Sequence, residues 1–424
     1  MKVNLNVDVH HLTRVEGHGN IVVRVEDGEV KEARWDIVET PRYFEVMLQG
    51  KHYTSAGILT SRICGICSIG HCLASVRASE AALGVEIPDA AARLRLLAKH
   101  GETLQSHFLH LFFLVAPDFV GQPSVLPLLE TNPEVVGIAC RLKGLANRTC
   151  DLVAGRTTHP TAIQVGGVSR MPSTDELLSL RDAMARSVDD LNASVELFKT
   201  FEIPDFVRET EFVSLKGETE YPWIGGRLVS TDGVEKAEDE YLAMTNEYVD
   251  DNNTSKWAKL SRESLAVGAL ARLNNNAEFL CPEAKEVAAI LGLSPVCHNP
   301  FMNNVAQLVE CVHCVHDSIR LIDELVAADT QETMIPVESR AGEGVGAVEV
   351  PRGILYHHYQ YDDRGRIVRA NCVIPTTQNN ANIHHDMRSL ARRFSGEGMT
   401  DEKLELLCSM LVRAYDPCIS CSVH

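Results

Sequence analysis

No run of about 18 or more apolar residues occurs in this sequence, so no segment reads as a membrane-spanning helix. The opening residues, Met1-Lys2-Val3-Asn4-Leu5-Asn6-Val7-Asp8, alternate like a strand and lack the apolar stretch of a secretory signal. A twin-arginine export signal is missing as well, although one could ride on a partner chain, and the cytoplasm is the expected compartment. Basic residues are in deficit: 40 Lys and Arg against 58 Asp and Glu leave a formal charge of −18. That balance argues against nucleic acid as a partner, because phosphate binding needs clustered cations. There is no internal repeat, low-complexity tract or Pro/Ser-rich linker, which favours one body over a string of domains. Also missing are the Cys-x2-Cys-x2-Cys-x3-Cys run of a ferredoxin and a Gly-x-Gly-x-x-Gly fingerprint after a strand. A chain without them has no evident route of its own for carrying electrons away.

What is present is an ordinary globular profile of 424 residues, 45% hydrophobic and 23% charged, with 13 cysteines. An odd cysteine count in a long chain without a signal peptide argues against a disulfide framework and leaves metal ligation or buried thiols. Two apolar runs, Ile21 to Val25 and Val30 to Ile37, flank Asp27-Gly28 and predict a hairpin. From about Pro41 to Phe119 the periodicity is helical, with Leu94, Leu97, Leu104, Phe108 and Leu111 on one stripe. Ser173 to Glu176 offers a capping box for a helix to about Phe201. Further helices are expected over Leu260 to Leu291, Asn303 to Ala328, Asn380 to Phe394 and Thr400 to Tyr415. A second hairpin is expected from Ile354 to Ile374.

The chemistry lies at the two ends. Arg62-Ile63-Cys64-Gly65-Ile66-Cys67-Ser68-Ile69-Gly70-His71 is matched by Asp416-Pro417-Cys418-Ile419-Ser420-Cys421-Ser422-Val423-His424. Cys-x-x-Cys lets two thiolates converge on one centre, and two such pairs offer four soft ligands to zinc, iron or another thiophilic metal. A zinc ribbon usually brings its pairs within a few tens of residues, whereas about 350 separate these. A site joining both ends looks more like an active centre than a local staple, although a structural zinc remains an alternative at this level.

The two motifs resemble the Arg-x-Cys-Gly-x-Cys-x-x-x-His and Asp-Pro-Cys-x-x-Cys-x-x-His signatures of nickel–iron hydrogenase large subunits. Weaker stretches of the same pattern occur in order. They are Arg14-Val15-Glu16-Gly17-His18, Pro41 to Glu45, Ser106-His107-Phe108-Leu109-His110, Gly155-Arg156 with His159-Pro160, and Gly166-Gly167. Val267 to Arg272, Glu349 to Gly353 and Pro375 to Asn379 follow. The resemblance covers essentially the whole chain and is nearer to the cytoplasmic, multimeric branch.

The resemblance implies a mainly α fold with small β-sheets, built on a long-helix bundle. It would form one domain over 1–424, with a β-hairpin region at about 1–40, a helical body at about 41–340 and a β-hairpin with C-terminal helices at about 341–424. It further implies that Cys64 and Cys418 are terminal nickel ligands, and that Cys67 and Cys421 bridge nickel to an iron carrying cyanide and carbon monoxide. Cys418 would take the proton released on cleavage of dihydrogen, with Glu16 as the next station. From the local sequence alone, Glu16 could equally pair with Arg14 or His18. Arg352, preceded by Pro351, would bind one cyanide, Thr376 the other, and Asp416 would anchor Arg352. His71 would orient a cysteine by a hydrogen bond. Glu45, His424 and the backbone carbonyl of Leu355 would hold a magnesium or further iron ion. Family precursors lose a short extension after the final histidine, so a chain stopping at His424 is expected to be the mature form. Ser106 stands where some members carry an aspartate.

The resemblance also implies an iron–sulfur small subunit that receives the electrons, and further subunits of flavoprotein or heterodisulfide-reductase type. A related respiratory-complex subunit would share the fold but lack the four cysteines. Cys311-Val312-His313-Cys314-Val315-His316, with Cys297 and His298 upstream, is read as core or interface, a second metal being the alternative; Cys72, Cys140, Cys150, Cys281, Cys372 and Cys408 are read as core or interface too.

Overall fold

The computed structural model describes residues 3–328 and 332–424, so the first two residues of the expected opening strand lie outside it. Leu5–Val9, Gly19–Glu26 and Glu29–Ile37 form an antiparallel three-stranded sheet. Its second turn is Asp27-Gly28, with φ of 55° and 81°. Two successive left-handed residues make the tight turn whose twist matches a hairpin. Ile21, Val23 and Val25 point inward with fully buried Trp35. The Trp35 indole N–H reaches the Asn380 side-chain oxygen at 3.4 Å.

The helical body contains Ser68–Leu83, Asp89–Phe108, Pro133–Ala154, Thr174–Phe198 and Asn303–Ala327. The capping box at Ser173 and Glu176 forms as expected, a device whose cap alone contributes about 1 kcal/mol. That helix stops at Phe198, not Phe201. The Leu94 stripe is buried down to Leu111. After Phe108 the helix widens into a π-helical stretch, Leu109–Val115, a distortion common at functional sites. The region from Leu260 to Leu291 is not one helix but a short strand, Leu265–Ala266, and two helices, Ala269–Asn276 and Pro282–Ile290. Gly268, at φ 124°, and Pro282, which has no N–H to donate, break it.

A second antiparallel sheet is made by Gly342–Val350, Gly353–Tyr361 and Ile367–Val373. Pairing of Val350 with Gly353 leaves Pro351-Arg352 as the turn of its first hairpin. The following helix begins at Pro375, five residues before the expected start, because proline suits the first helical turn. Asp401–Ala414, capped by Thr400, and the last turn, Ile419–Ser422, complete the described chain.

A close backbone approach joins the Ser68–Leu83 helix to the Gly342–Val350 strand. Ala74, Ala78 and Ala82, one helical turn apart, face Gly342, Gly344 and Gly346, which alternate along the strand. A Cβ on any of the three glycines would lie within 2.4 Å of helix backbone. This contact ties the helix that follows Cys67 to the strand that leads into Arg352. The larger apolar core among the described residues runs from Leu5 to Val423, and a smaller one gathers Val213, Leu215, Leu228, Ile354 and Tyr356. Among the described residues, no helix is long and apolar enough to cross a membrane.

Candidate metal centre

Cys64 lies in the loop before the Ser68–Leu83 helix, and Cys67 is that helix's N-cap. The Cys64 sulfur accepts the backbone N–H groups of Ile66 at 3.3 Å and Cys67 at 3.1 Å. Amide donors and a helix N-terminus both favour a thiolate. Cys418 caps the last helical turn, which carries Cys421. That turn is held against the N-terminal segment by the Ile419 N–H, which donates to the Glu16 carbonyl at 3.0 Å. Arg42 staples the two motifs, its guanidinium donating to the carbonyls of Ile63 and Ser420.

The result is that all four sulfurs meet, each on a residue no more than 3% exposed. The Cys64 and Cys418 sulfurs are 3.6 Å apart, far beyond a disulfide bond, and every cysteine is free. Ligand atoms of Cys64, Cys418 and Cys421 lie within 4.8 Å of one another, as do those of Cys67, Cys421 and His71. Two sulfurs on one tetrahedral metal at about 2.3 Å would stand about 3.8 Å apart, so this spacing fits a shared centre. Charge points the same way. Burial opposes ionisation of Cys64, yet thiol donors from Cys418, Cys421 and Cys67 hold it well below the ordinary thiol range. Hydrogen bonding among the same sulfurs drives Cys418 well up, and burial drives Cys421 up. Without a cation the cluster holds one thiolate among its thiols; ionising all four needs a cation, and a thiophilic one suits them.

Arg352 overhangs the cluster. Burial works against its charge, but Asp416 and the sulfurs of Cys418, Cys64 and Cys67 hold it firmly protonated. Its guanidinium donates to Asp416 at 2.7 Å and to the Ser106 hydroxyl at 3.3 Å, and its buried Nε has no partner among the described residues. The turn that carries it is gripped by fully buried Arg272, which donates to the carbonyls of Val350 and Pro351 at 2.9 and 3.1 Å and to Glu310 and Glu349. The Thr376 hydroxyl oxygen accepts the Cys418 N–H at 3.0 Å, which leaves its proton to donate elsewhere. The unpartnered Arg352 Nε and this hydroxyl are donors around the sulfurs that suit small anionic ligands such as cyanide.

Glu16 is half-buried and pairs with neither Arg14 nor His18. Arg14 bonds Asp118, and His18 bonds Glu39. The Glu16 carboxylate instead accepts the Ser420 N–H at 3.1 Å and the Ser420 hydroxyl, beside Cys418. His71 is fully buried, with Nδ1 3.2 Å from Nε2 of His357. Burial pushes His71 down to about 4 and His357 well below its ordinary value, so both rings are neutral.

Glu45 and His424 approach to 3.8 Å. The carbonyl beside them is that of Cys372, 2.7 Å from His424 Nε2, and the Cys372 N–H donates to Glu45 at 2.8 Å. This differs from the expected Leu355, which makes no hydrogen bond to either; it sits in the middle strand of its sheet, two residues before the cross-strand neighbour of Cys372. His424 turns both ring nitrogens toward carbonyls, Nδ1 lying 3.2 Å from Cys421 O. A neutral imidazole can donate only one proton, so a cation at the other nitrogen fits. Cys311 and Cys314 are fully buried and join no group of three metal ligands among the described residues.

Sequence reasoning missed Arg42, Arg272 and His357 as parts of this site. The first two lie inside stretches that resemble the family, a signal that could have found them. Nothing in the sequence marks His357 apart from its neighbour His358.

Fold and site together define a metalloenzyme chain whose centre is closed by its own two ends. A model described as nickel-dependent hydrogenase matches residues 42–135 and 236–424, and one described as HoxL-like matches residues 6–40. The alpha subunit of sulfhydrogenase 2 from Pyrococcus furiosus is 32% identical, over 99% of this chain and 98% of that one. The beta subunit of the NAD-reducing hydrogenase HoxS from Cupriavidus necator is 29% identical, over 97% of this chain and 93% of that one. The crystal structure of an NAD+-reducing [NiFe]-hydrogenase in the H2-reduced state superposes with a TM-score of 0.89 at 29% identity, covering 99% of both chains. The chain belongs to the nickel-dependent hydrogenases and is the catalytic large subunit of a nickel–iron enzyme acting on dihydrogen.

Proposed function

We propose that the four sulfurs would hold a nickel–iron pair, Cys64 and Cys418 serving as ligands of nickel alone and Cys67 and Cys421 as ligands shared with an iron that would carry cyanide and carbon monoxide. When bound, the pair supplies a soft, redox-active Lewis acid for the reversible heterolytic cleavage of dihydrogen. The observation that carries this reading is the convergence of four buried sulfurs from both ends beneath a permanently charged Arg352.

The residues then divide the work. Cys418 is the base, taking the proton at Sγ, and Arg352 offsets the charge gathered there. Glu16 is the next proton carrier, since its carboxylate is held beside the Cys418 turn by Ser420. Arg352 at the Pro351-Arg352 turn would donate its free Nε–H to one cyanide and Thr376 its hydroxyl to the other, with Asp416 fixing the guanidinium plane. His71 orients the sulfurs of Cys67 and Cys421. Glu45, His424 and the carbonyl of Cys372, in place of Leu355, hold a magnesium or iron ion, and the entire chain, 1–424, acts as one domain.

Electrons leave through a small iron–sulfur partner chain. Beside Arg62, Arg156 and His159 a cleft of about 260 Å3 is lined by exposed Ile58, and Tyr43 is exposed together with Val46 and Met47 of the short helix that follows it, Phe44–Leu48. Such apolar exposure next to the Cys64 loop suits a large partner interface. The two relatives are named as the alpha and the beta subunit of their enzymes, which supports a multisubunit assembly. The further subunits proposed are flavin-bearing or heterodisulfide-reductase electron carriers, in the cytoplasm.

The test is metal analysis and infrared spectroscopy of the purified complex. Nickel and iron in about equal amounts, or with one extra iron, are expected together with cyanide and carbonyl bands, and loss of both metals in Cys421→Ser. Zinc alone, without those bands, would overturn the reading.

A further inference from the structure

Behind Arg352 a short file of buried polar groups leads away from the sulfurs, and its last member, His110, has no part in the proposed chemistry. The Asp416 carboxylate accepts Arg352 at 2.7 Å on one oxygen and the Gln307 amide N–H at 3.1 Å on the other. The Gln307 amide oxygen lies 2.6 Å from His110 Nδ1, and His110 Nε2 lies 2.7 Å from the Arg413 carbonyl oxygen. His110 belongs to the π-helical stretch Leu109–Val115, and it and Gln307 are both buried.

These contacts need one proton more than a neutral His110 and an ionised Asp416 supply. The Arg413 carbonyl can only accept, so His110 Nε2 must carry a hydrogen. The Gln307 oxygen also can only accept, so Nδ1 must carry one as well. Turning the amide over would let a neutral His110 accept from it. It would also set the amide oxygen against the Asp416 carboxylate, which would then need the proton. Two lone pairs facing each other at these distances have no bulk water to relieve them. The extra proton is therefore on His110 or on Asp416, and the charges around them decide. The Arg352 guanidinium favours the carboxylate form of Asp416. The same carboxylate oxygen stands 3.9 Å from His110 Nε2, where it favours an imidazolium. The Arg413 side chain turns away to Asp118 at 2.9 Å, and His107 is engaged with Glu310 at 2.8 Å.

We propose that His110 is a positioning residue held as a buried imidazolium. Its Nδ1–H fixes the Gln307 oxygen, so that the Gln307 N–H points at Asp416 and steadies the carboxylate on which Arg352 hangs. The inference rests on the reading of Arg352 as donor to one cyanide. His110 thus acts on that donor through Gln307 and Asp416 in turn, without touching the metals itself.

Neutron diffraction from crystals of the purified complex soaked in heavy water locates the protons. Deuterium on both His110 nitrogens, with the Gln307 amide nitrogen facing an unprotonated Asp416, is the expected result. A single deuterium on His110 overturns it. The positioning role is read from the infrared bands of His110→Leu and Gln307→Leu. Arg352 serves one cyanide and Thr376 the other, so one of two cyanide bands moves in each variant while nickel and iron are retained. Both bands unmoved, or both moved alike, overturns the role. If His110→Leu fails to load metals, Gln307→Leu decides, and if neither loads, the neutron result on the unaltered complex does. Absence of cyanide bands from the unaltered complex overturns the metal reading, whereas the proton count on His110 is tested all the same.

Discussion

Asp416 meets Arg352 across 2.7 Å with both side chains almost wholly buried, and its second oxygen accepts the Gln307 amide at 3.1 Å. Asp416 also holds a left-handed backbone, φ 49°, immediately before Pro417. Removing one charge of a buried pair typically costs about 3–5 kcal/mol, because the other is left uncompensated. Asp416→Asn is therefore expected to lower the melting temperature and the nickel content together. Unchanged values of both would show that the cysteine sulfurs alone neutralise Arg352.

Glu16→Gln separates proton movement from assembly. The carboxylate accepts two hydrogen bonds from Ser420, and a glutamine amide can accept only through its oxygen, so a stability loss of about 1 kcal/mol is expected. Metals should stay bound while hydrogen/deuterium exchange slows at least about a hundredfold, the lower reach of a lost acid–base group. Full exchange in the glutamine variant removes Glu16 from the proton path.

Much of this was legible beforehand, and the reasons are local. Cys64, Cys67, Cys418 and Cys421 announce themselves because metal ligands need particular atoms at particular spacings. The Asp27-Gly28 hairpin and the Ser173–Glu176 cap are readable because turn and cap chemistry acts over a few residues. Features that depend on distant backbone were not readable. Arg42 acts on carbonyls 21 and 378 residues away. Arg272 grips carbonyls 78 and 79 residues away. An arginine that serves a carbonyl carries no local signature of it. The carbonyl beside Glu45 and His424 belongs to Cys372 for the same reason, since any residue type can supply a backbone oxygen. The break at Gly268 was hidden because apolar spacing continued across it.

Gly344→Ala tests the contact that aligns the two halves of the site. The added Cβ would stand 2.4 Å from the Ala78 carbonyl oxygen and the Ala82 nitrogen, both backbone atoms of a helix that cannot step aside. Overpacking of this kind costs about 1–3 kcal/mol. The expected outcome is a lower melting temperature with a parallel fall in metal content, since the Ser68–Leu83 helix begins at Cys67. Alanine tolerated without either change would mean that helix and strand can separate without disturbing the centre.

The acid behaviour of the fold is set partly by the two carboxylates that share Arg272. Glu310 takes the larger part, with two hydrogen bonds from Arg272 and others from Tyr221 and His107. Although burial opposes its charge, Arg272 holds it down to about 2. Glu349 has one bond from Arg272 and one from the Leu215 N–H, and burial wins, raising it from 4.5 to about 6. A carboxyl raised on folding favours the native state most below its unfolded value. Its contribution is intact below about 4.5 and fades as pH rises through about 6. The shift corresponds to about 2 kcal/mol. Glu349→Gln cannot ionise, so its stability relative to the unaltered protein should improve by about that amount between pH 4.5 and 6 and then level off. Melting temperatures of the two proteins measured side by side across that range give the difference directly. A gap that does not change with pH would mean that Glu349 keeps the same charge folded and unfolded, and that Arg272 serves both carboxylates equally.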